Sequence, residues 1–189
     1  MSTLFPIERQ LPEGFLYMPD FITPEEEGEL VRDITKLELA TFVFQGFEAK
    51  RKVASFGYDY SFDKRALTKG KDIPPFFTPV INRVSKQFSI EPQDFAELLV
   101  LEYPVSAVIN WHRDAPPFDI IVGISLLADC TFRLRPHAKI KQGRGSIISL
   151  PVKRRSLYLM QGPARSEWQH STAPVKEVRY SITLRTLRQ

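Results

Sequence analysis

Cysteine is almost missing from this sequence: Cys130 stands alone. No disulfide can close within the chain, so its stability must come from a packed core, and a reducing compartment is the natural expectation. No apolar run approaches membrane-spanning length, which argues against a transmembrane helix and against a membrane partner. The opening stretch "MSTLFPIERQLPEG" lacks the charged-then-apolar order of a secretory leader, and the cytoplasm is the expected location. Repeats, low-complexity tracts and convincing linkers are missing too, so the 189 residues are expected to form one domain, 1–189, and a monomer. Histidine is scarce, with only 3 in the chain, so few residues can compete for any metal site.

What is present is an ordinary globular composition, 43% apolar and 25% charged. The net charge of +4 and pI near 9.2 are compatible with a polyanionic partner, though such a balance alone is weak support.

Local patterns organise the chain. "GFLYMPDFI" reads as a short strand leading into a helix. Thr23, Pro24 and Glu26 supply an N-cap, a first-turn proline and a capping-box acid, and Leu30, Val31, Ile34 and Leu37 follow at helical spacing. A second helix fits Phe77, Val80, Ile81, Val84 and Phe88, after "DIPPFFTP". From about residue 97 the texture changes. "ELLVLEY", "AVINWH", "IIVGISLL", "TFRLRP", "GSIISLP", "SLYLM", "SEWQH" and "VRYSITLRTL" read as short strands parted by Gly, Pro and charged turns, which favours a sandwich or jelly roll. The expected fold is α+β, a double-stranded β-helix (jelly-roll) core over about 97–189 with the N-terminal helices packed on one sheet. Between the helices, "TFVFQGFEAKRKVASFGYDYSFDKRAL" mixes aromatics with cations and reads as a long hairpin over about 40–70.

The chemistry starts at "VINWHRDAPPF". His112 and Asp114 are two apart, so on extended backbone they face one way, and a charged cluster between apolar stretches needs a bound partner. Iron(II) in oxygenases is commonly held by two histidines and one carboxylate with open positions left over. The second histidine must come from elsewhere, His137 or His170. His137 lies in the basic turn "RPHAKIKQGRG", whereas His170 closes the strand-like "SEWQH". In the last strand Arg179, Ser181, Thr183 and Arg185 share one face, while Val178, Tyr180, Ile182 and Leu184 on the other are largely apolar. Both faces should lie against structure, and a buried arginine calls for an anion such as a small dicarboxylate.

Taken in order, "RKVASFG…YSF", "LEYPVSAVINWHRD", "GISLL", "GPARSEWQHS" and "RYSITLR" resemble the AlkB-like Fe(II)- and 2-oxoglutarate-dependent dioxygenases. The resemblance covers most of the chain. It implies His112, Asp114 and His170 as iron ligands, Tyr103 and Arg179 as contacts to 2-oxoglutarate, Ser181 as a smaller donor, and Arg185 near the metal and substrate. Leu101 and Ser181 stand where well-studied members have asparagine, and Pro116 stands where some demethylases have an acid. The implied activity uses Fe(II), 2-oxoglutarate and O2 to oxidise an alkyl group on a base of DNA or RNA, as in DNA repair, releasing succinate, CO2 and formaldehyde. The same chemistry on a protein side chain or small molecule is the alternative. Reaching a base requires single-stranded nucleic acid or a flipped nucleotide. "RKVASFGYDYSF" resembles the nucleotide-recognition lid of the family, with Phe62 and Tyr60 for the base and its backbone and Arg51 and Lys52 for phosphate.

Overall fold

A computed structural model describes residues 10–44, 47–61 and 64–188. In chain order the elements are β1 (Phe15–Met18), α1 (Pro24–Ile34), β2 (Ala40–Phe44), β3 (Phe47–Ser61), β4 (Ala66–Lys69), α2 (Thr78–Phe88), β5 (Phe95–Tyr103) and β6 (Phe118–Leu126). They continue as β7 (Cys130–Pro136), β8 (Ile148–Val152), β9 (Leu157–Met160), α3 (Gly162–Ser166), β10 (Trp168–Thr172) and β11 (Arg179–Leu187). The strands form two sheets. The larger runs β1-β9-β6-β11-β5-β3-β2, with β4 paired to β3, and the smaller runs β10-β7-β8.

Helix α1 begins where the sequence dictates. Thr23 accepts from the Glu26 amide and the Glu26 carboxylate accepts from the Thr23 amide, closing a capping box. The helix ends at Ile34, so Leu37 packs on the core from beyond it. Leu30 and Ile34 join Phe77, Val80, Ile81 and Val84 of the α2 region against Leu98, Val100, Tyr180, Ile182 and Leu184. One face of the large sheet is thereby covered by helices. Its other face and the small sheet enclose a second core that includes Tyr103, Phe118, Ile121, Phe132, Leu134 and Tyr158. This is the expected double-stranded β-helix with helices on one sheet.

Two glycines are required by close approach. A Cβ on Gly123 would lie 2.2 Å from the ring of Tyr158, its cross-strand neighbour. Gly57, at φ +82°, passes β3 from β5 to β4 and leaves 2.2 Å between a built Cβ and the Ala96 carbonyl. The 40–70 segment is therefore no detached flap, because β3 extends the large sheet through its pairing with β5.

Three local expectations need correction. "AVINWH" forms no strand; it touches β10 only through a bridge between His112 and His170 and bonds between Ile109 and Thr172. His170 lies in the middle of β10, not at its end, since the strand runs on to Thr172. Proline at 163 opens the short α3 where the sequence looked like loop.

Candidate metal centre

Strand β10 and the bridged segment before β6 bring the three expected ligands together. The backbones of His112 and His170 exchange N–H···O bonds of 3.1 and 2.9 Å, which sets the two side chains beside each other. Their ring centroids are 4.2 Å apart. One ligand atom from each of His112, Asp114 and His170 falls within 4.8 Å of the others, so the three could hold one metal ion.

The electronic state of each group suits that role. His112 Nδ1 lies 2.8 Å from the Asn110 carbonyl, which can only accept. Nδ1 therefore carries the proton, and Nε2 keeps a free lone pair toward the site. Burial lowers the pKa of both rings, that of His170 to about 3, so both stay neutral at physiological pH. Asp114 is 9% exposed. Burial pushes its carboxyl up, but the charge of Arg185 outweighs this and holds it ionised, well below the usual carboxylate range. Its Oδ1 accepts from Arg185 Nη2, whereas the buried Oδ2 has no hydrogen-bond partner and faces His170 Nε2 at 3.5 Å. An orphaned carboxylate oxygen beside two neutral imidazoles is what a divalent cation would satisfy.

Two side chains support this cluster without having stood out in the sequence. Buried Glu97 on β5 sits directly across from Arg185 on β11 and binds its Nη1 at 2.6 Å. Burial raises the Glu97 carboxyl to about 7 despite that partner. A lone acid on the Glu97, Leu99, Leu101, Tyr103 face of an apolar strand was its only sequence signal. Arg165 of α3 donates from Nη2 to the carbonyls of Asp114, Ala115 and Phe118 and so holds the loop carrying Asp114. Nothing in the sequence foretold that. Ser125 and Phe42, equally silent in the sequence, contact Arg179 and Arg51 instead.

Arg179 is different. It is 2% exposed, donates from Nε to Ser125 Oγ at 2.9 Å, and lies 4.9 Å over the ring of Tyr103. Among the described residues it has no carboxylate partner within salt-bridge distance. A desolvated guanidinium without a counter-ion is a receptor for a ligand carboxylate. Ser181 is buried between Leu101 and Ser125 by strand pairing.

The expected substrate residues do not stay together. Arg51 faces the site side of β3, stacks at 3.9 Å on Phe42, and adds its charge at His112. Lys52, the next residue, necessarily points to the opposite face and pairs with Glu102 at 3.1 Å. Its expected role at phosphate beside Arg51 is corrected accordingly. Tyr60 packs at the margin of the inner core, and Phe62 lies outside the described residues. His137 is exposed in its turn, away from the cluster.

The sequence model of the 2OG-Fe(II) oxygenase superfamily matches residues 14–185. The chain belongs to that superfamily. It is an AlkB-like 2OG-Fe(II) dioxygenase, and the cofactors of this oxygenase are Fe(II), 2-oxoglutarate and O2. A Xenopus tropicalis protein named tRNA (carboxymethyluridine(34)-5-O)-methyltransferase alkbh8 is 27% identical over 172 residues, covering 88% of the oxygenase and 26% of the relative. An Arabidopsis thaliana protein named Alkylated DNA repair protein ALKBH8 homolog is 26% identical over 189 residues, covering 89% and 53%. The oxygenase thus spans from about a quarter to about half of these relatives. Among solved structures, OsALKBH1 superposes with a TM-score of 0.74 at 13% identity, covering 94% of this chain and 99% of that one. A prolyl hydroxylase from Trichoplax adhaerens, solved with a hypoxia inducible factor peptide fragment, gives 0.65 at 15% identity, covering 92% and 83%. These two likenesses speak for the fold. No helix among the described residues is long and apolar enough to cross a membrane.

Proposed function

We propose that this oxygenase removes an alkyl group from a base of single-stranded DNA or RNA, or of a nucleotide flipped from a duplex. In this reading His112, Asp114 and His170 hold Fe(II), Arg179 pairs with the far carboxylate of 2-oxoglutarate, and Tyr103 and Ser181 line the same pocket. When bound, the metal and cosubstrate supply oxidation of a C–H bond by O2 as 2-oxoglutarate becomes succinate and CO2. The protein's residues orient and neutralise. Asn110 fixes the His112 tautomer, Arg185 steadies the Asp114 carboxylate, and Arg165 fixes the backbone behind it.

The observation that carries the cosubstrate reading is the buried, acid-free guanidinium of Arg179. For the substrate it is Arg51, a second guanidinium without a carboxylate partner among the described residues, whose Nε is buried and unbonded. Stacked on Phe42 at the metal side of the hairpin, it offers a cation to a phosphate and a ring beside it to a base. The names of the frog and plant relatives, a tRNA enzyme and a DNA repair protein, favour nucleic acid. Leu101, Pro116 and Ser181 favour the second reading, the same oxidation on a protein side chain, as the name of the Trichoplax neighbour describes for that enzyme.

Incubation with methylated single-stranded oligonucleotides, iron and 2-oxoglutarate should release formaldehyde in step with succinate. Metal titration should show one ion per chain, with affinity lost in His170→Ala and kept in His137→Ala. Succinate without formaldehyde from any methylated oligonucleotide, together with a hydroxylated peptide, would turn the assignment to the second reading.

A further inference from the structure

The modest net charge conceals a strong polarity. Residues 130–176 contain ten lysines and arginines against one acid, Glu167, while the rest of the chain has sixteen against twenty-one. This basic stretch builds the small sheet, β9 and α3. Alternation along β7 sends Phe132 and Leu134 into the inner core and leaves Arg133 and Arg135 on the outer face.

There the two guanidiniums converge on one indole. Arg135 lies 4.4 Å and Arg133 5.2 Å from the ring of Trp111. Arg135 Nε donates to Gln169 Oε1 at 2.8 Å and Arg133 Nη2 to the Thr172 carbonyl at 3.2 Å. Neither has a carboxylate partner among the described residues, and neither Nη of Arg135 has any bond there. Two like charges held over one ring repel each other, and an anion seated on them would turn that repulsion into attraction. Just past β7, Lys139 and Lys141 are exposed on either side of Ile140, itself 96% exposed. The array is also rigid, since Trp111 precedes His112 and Gln169 precedes His170. It stands on the far side of the strands that carry the metal cluster.

We propose that the outer face of the small sheet is a second contact surface for single-stranded nucleic acid, with Arg133 and Arg135, fixed by Trp111, receiving backbone phosphates. Two residues along a strand advance by roughly 7 Å, a step suited to successive phosphates of an extended chain. Lys139 and Lys141 extend the track. The proposal rests on the reading that the substrate is nucleic acid, and it adds a surface that acts on affinity rather than on the reacting base.

The test measures binding of a labelled, unmethylated 16-nucleotide single strand by fluorescence anisotropy from 50 to 200 mM salt. Arg133→Gln with Arg135→Gln should weaken binding about tenfold at the low-salt end and flatten the slope of log K against log salt by about 1.4, two phosphates at roughly 0.7 each. Arg133→Lys with Arg135→Lys should restore most of the slope, which separates lost charge from a disturbed fold. If the parent binds and the glutamine pair keeps its full slope, this surface is wrong and the substrate reading stands. If the parent binds no oligonucleotide at low salt, both fall. Preferential binding of the parent to phosphatidylserine vesicles over the oligonucleotide would also overturn the proposal.

Discussion

The two ends of β11 treat the same side chain in opposite ways. Arg179 and Arg185 lie on one face of one strand, and both are largely shut away from solvent. Across from Arg185 on β5 stands Glu97, and Asp114 meets it from the loop before β6, so two carboxylates neutralise it, although its buried Nε keeps no partner. Across from Arg179 stands Tyr103, with Ser125 beside it, so it meets a phenol ring and a hydroxyl but no acid among the described residues. The first arginine serves as an internal counter-ion for a carboxylate that is to hold a metal. The second has no acid in salt-bridge range among the described residues, and in the proposed function the cosubstrate would bring one. Burial is alike at the two ends; the register against β5 makes the difference.

Glutamine in place of each arginine should separate the two roles most sharply. Arg185→Gln leaves Asp114 as a buried, uncompensated carboxylate and Glu97 without its partner, a loss of about 3–5 kcal/mol in stability. Thermal unfolding should then fall by about 10 °C, with metal affinity reduced alongside. Arg179→Gln removes a buried charge that lacks a counter-ion, so the unfolding midpoint of the ligand-free protein should hold or rise. Its effect should appear in cosubstrate use instead, with about 2–5 kcal/mol of 2-oxoglutarate affinity lost, a rise of about 30-fold or more in the concentration needed. A large drop in midpoint for Arg179→Gln would break the contrast.

Acid should test the metal end next. An unfolded chain protonates His170 near the ordinary histidine value, while the folded chain keeps it neutral down to about 3. The unfolded state thus binds the extra proton between those values. Stability of the metal-free protein falls through this group as pH drops, by up to about 1.4 kcal/mol per unit below about 6.5. Urea unfolding of the parent and of His170→Asn at several pH values should converge as pH falls. Parallel curves would mean that His170 is not held neutral by burial.

The smallest effects belong to the hairpin. Arg51→Ala should weaken oligonucleotide binding by roughly 1 kcal/mol and reduce its salt dependence, since it removes one phosphate contact. Lys52→Ala should change it by less than about 0.5 kcal/mol, as expected for a half-exposed pair with Glu102 on the helix side of the sheet. Equal effects from the two would return them to one face.

Much of this was legible in the chain because the signals are local. The capping box of α1, the apolar spacing of α2 and the two-residue alternation of β11 each report on neighbours within a turn or a strand, and each is realised. The cluster of His112, Asp114 and His170 was readable because the chain has so few histidines and because their order along the sequence resembles a known family. Direction along a strand was legible too, which is why Arg51 and Lys52 could have been separated at once. What the sequence alone could not decide was pairing. Whether Arg179 or Arg185 meets an acid depends on which β5 residue lies opposite, and that register is set by packing the helix-covered face against Leu98, Val100, Ile182 and Leu184. Arg165 reaches the loop of Asp114, and Trp111 gathers Arg133 and Arg135, only after β10 has closed against β7. Such contacts join residues far apart in the chain, so local propensity says nothing of them. Only the closed pair of sheets decides them, because only there does burial leave one guanidinium satisfied and another in need of a ligand.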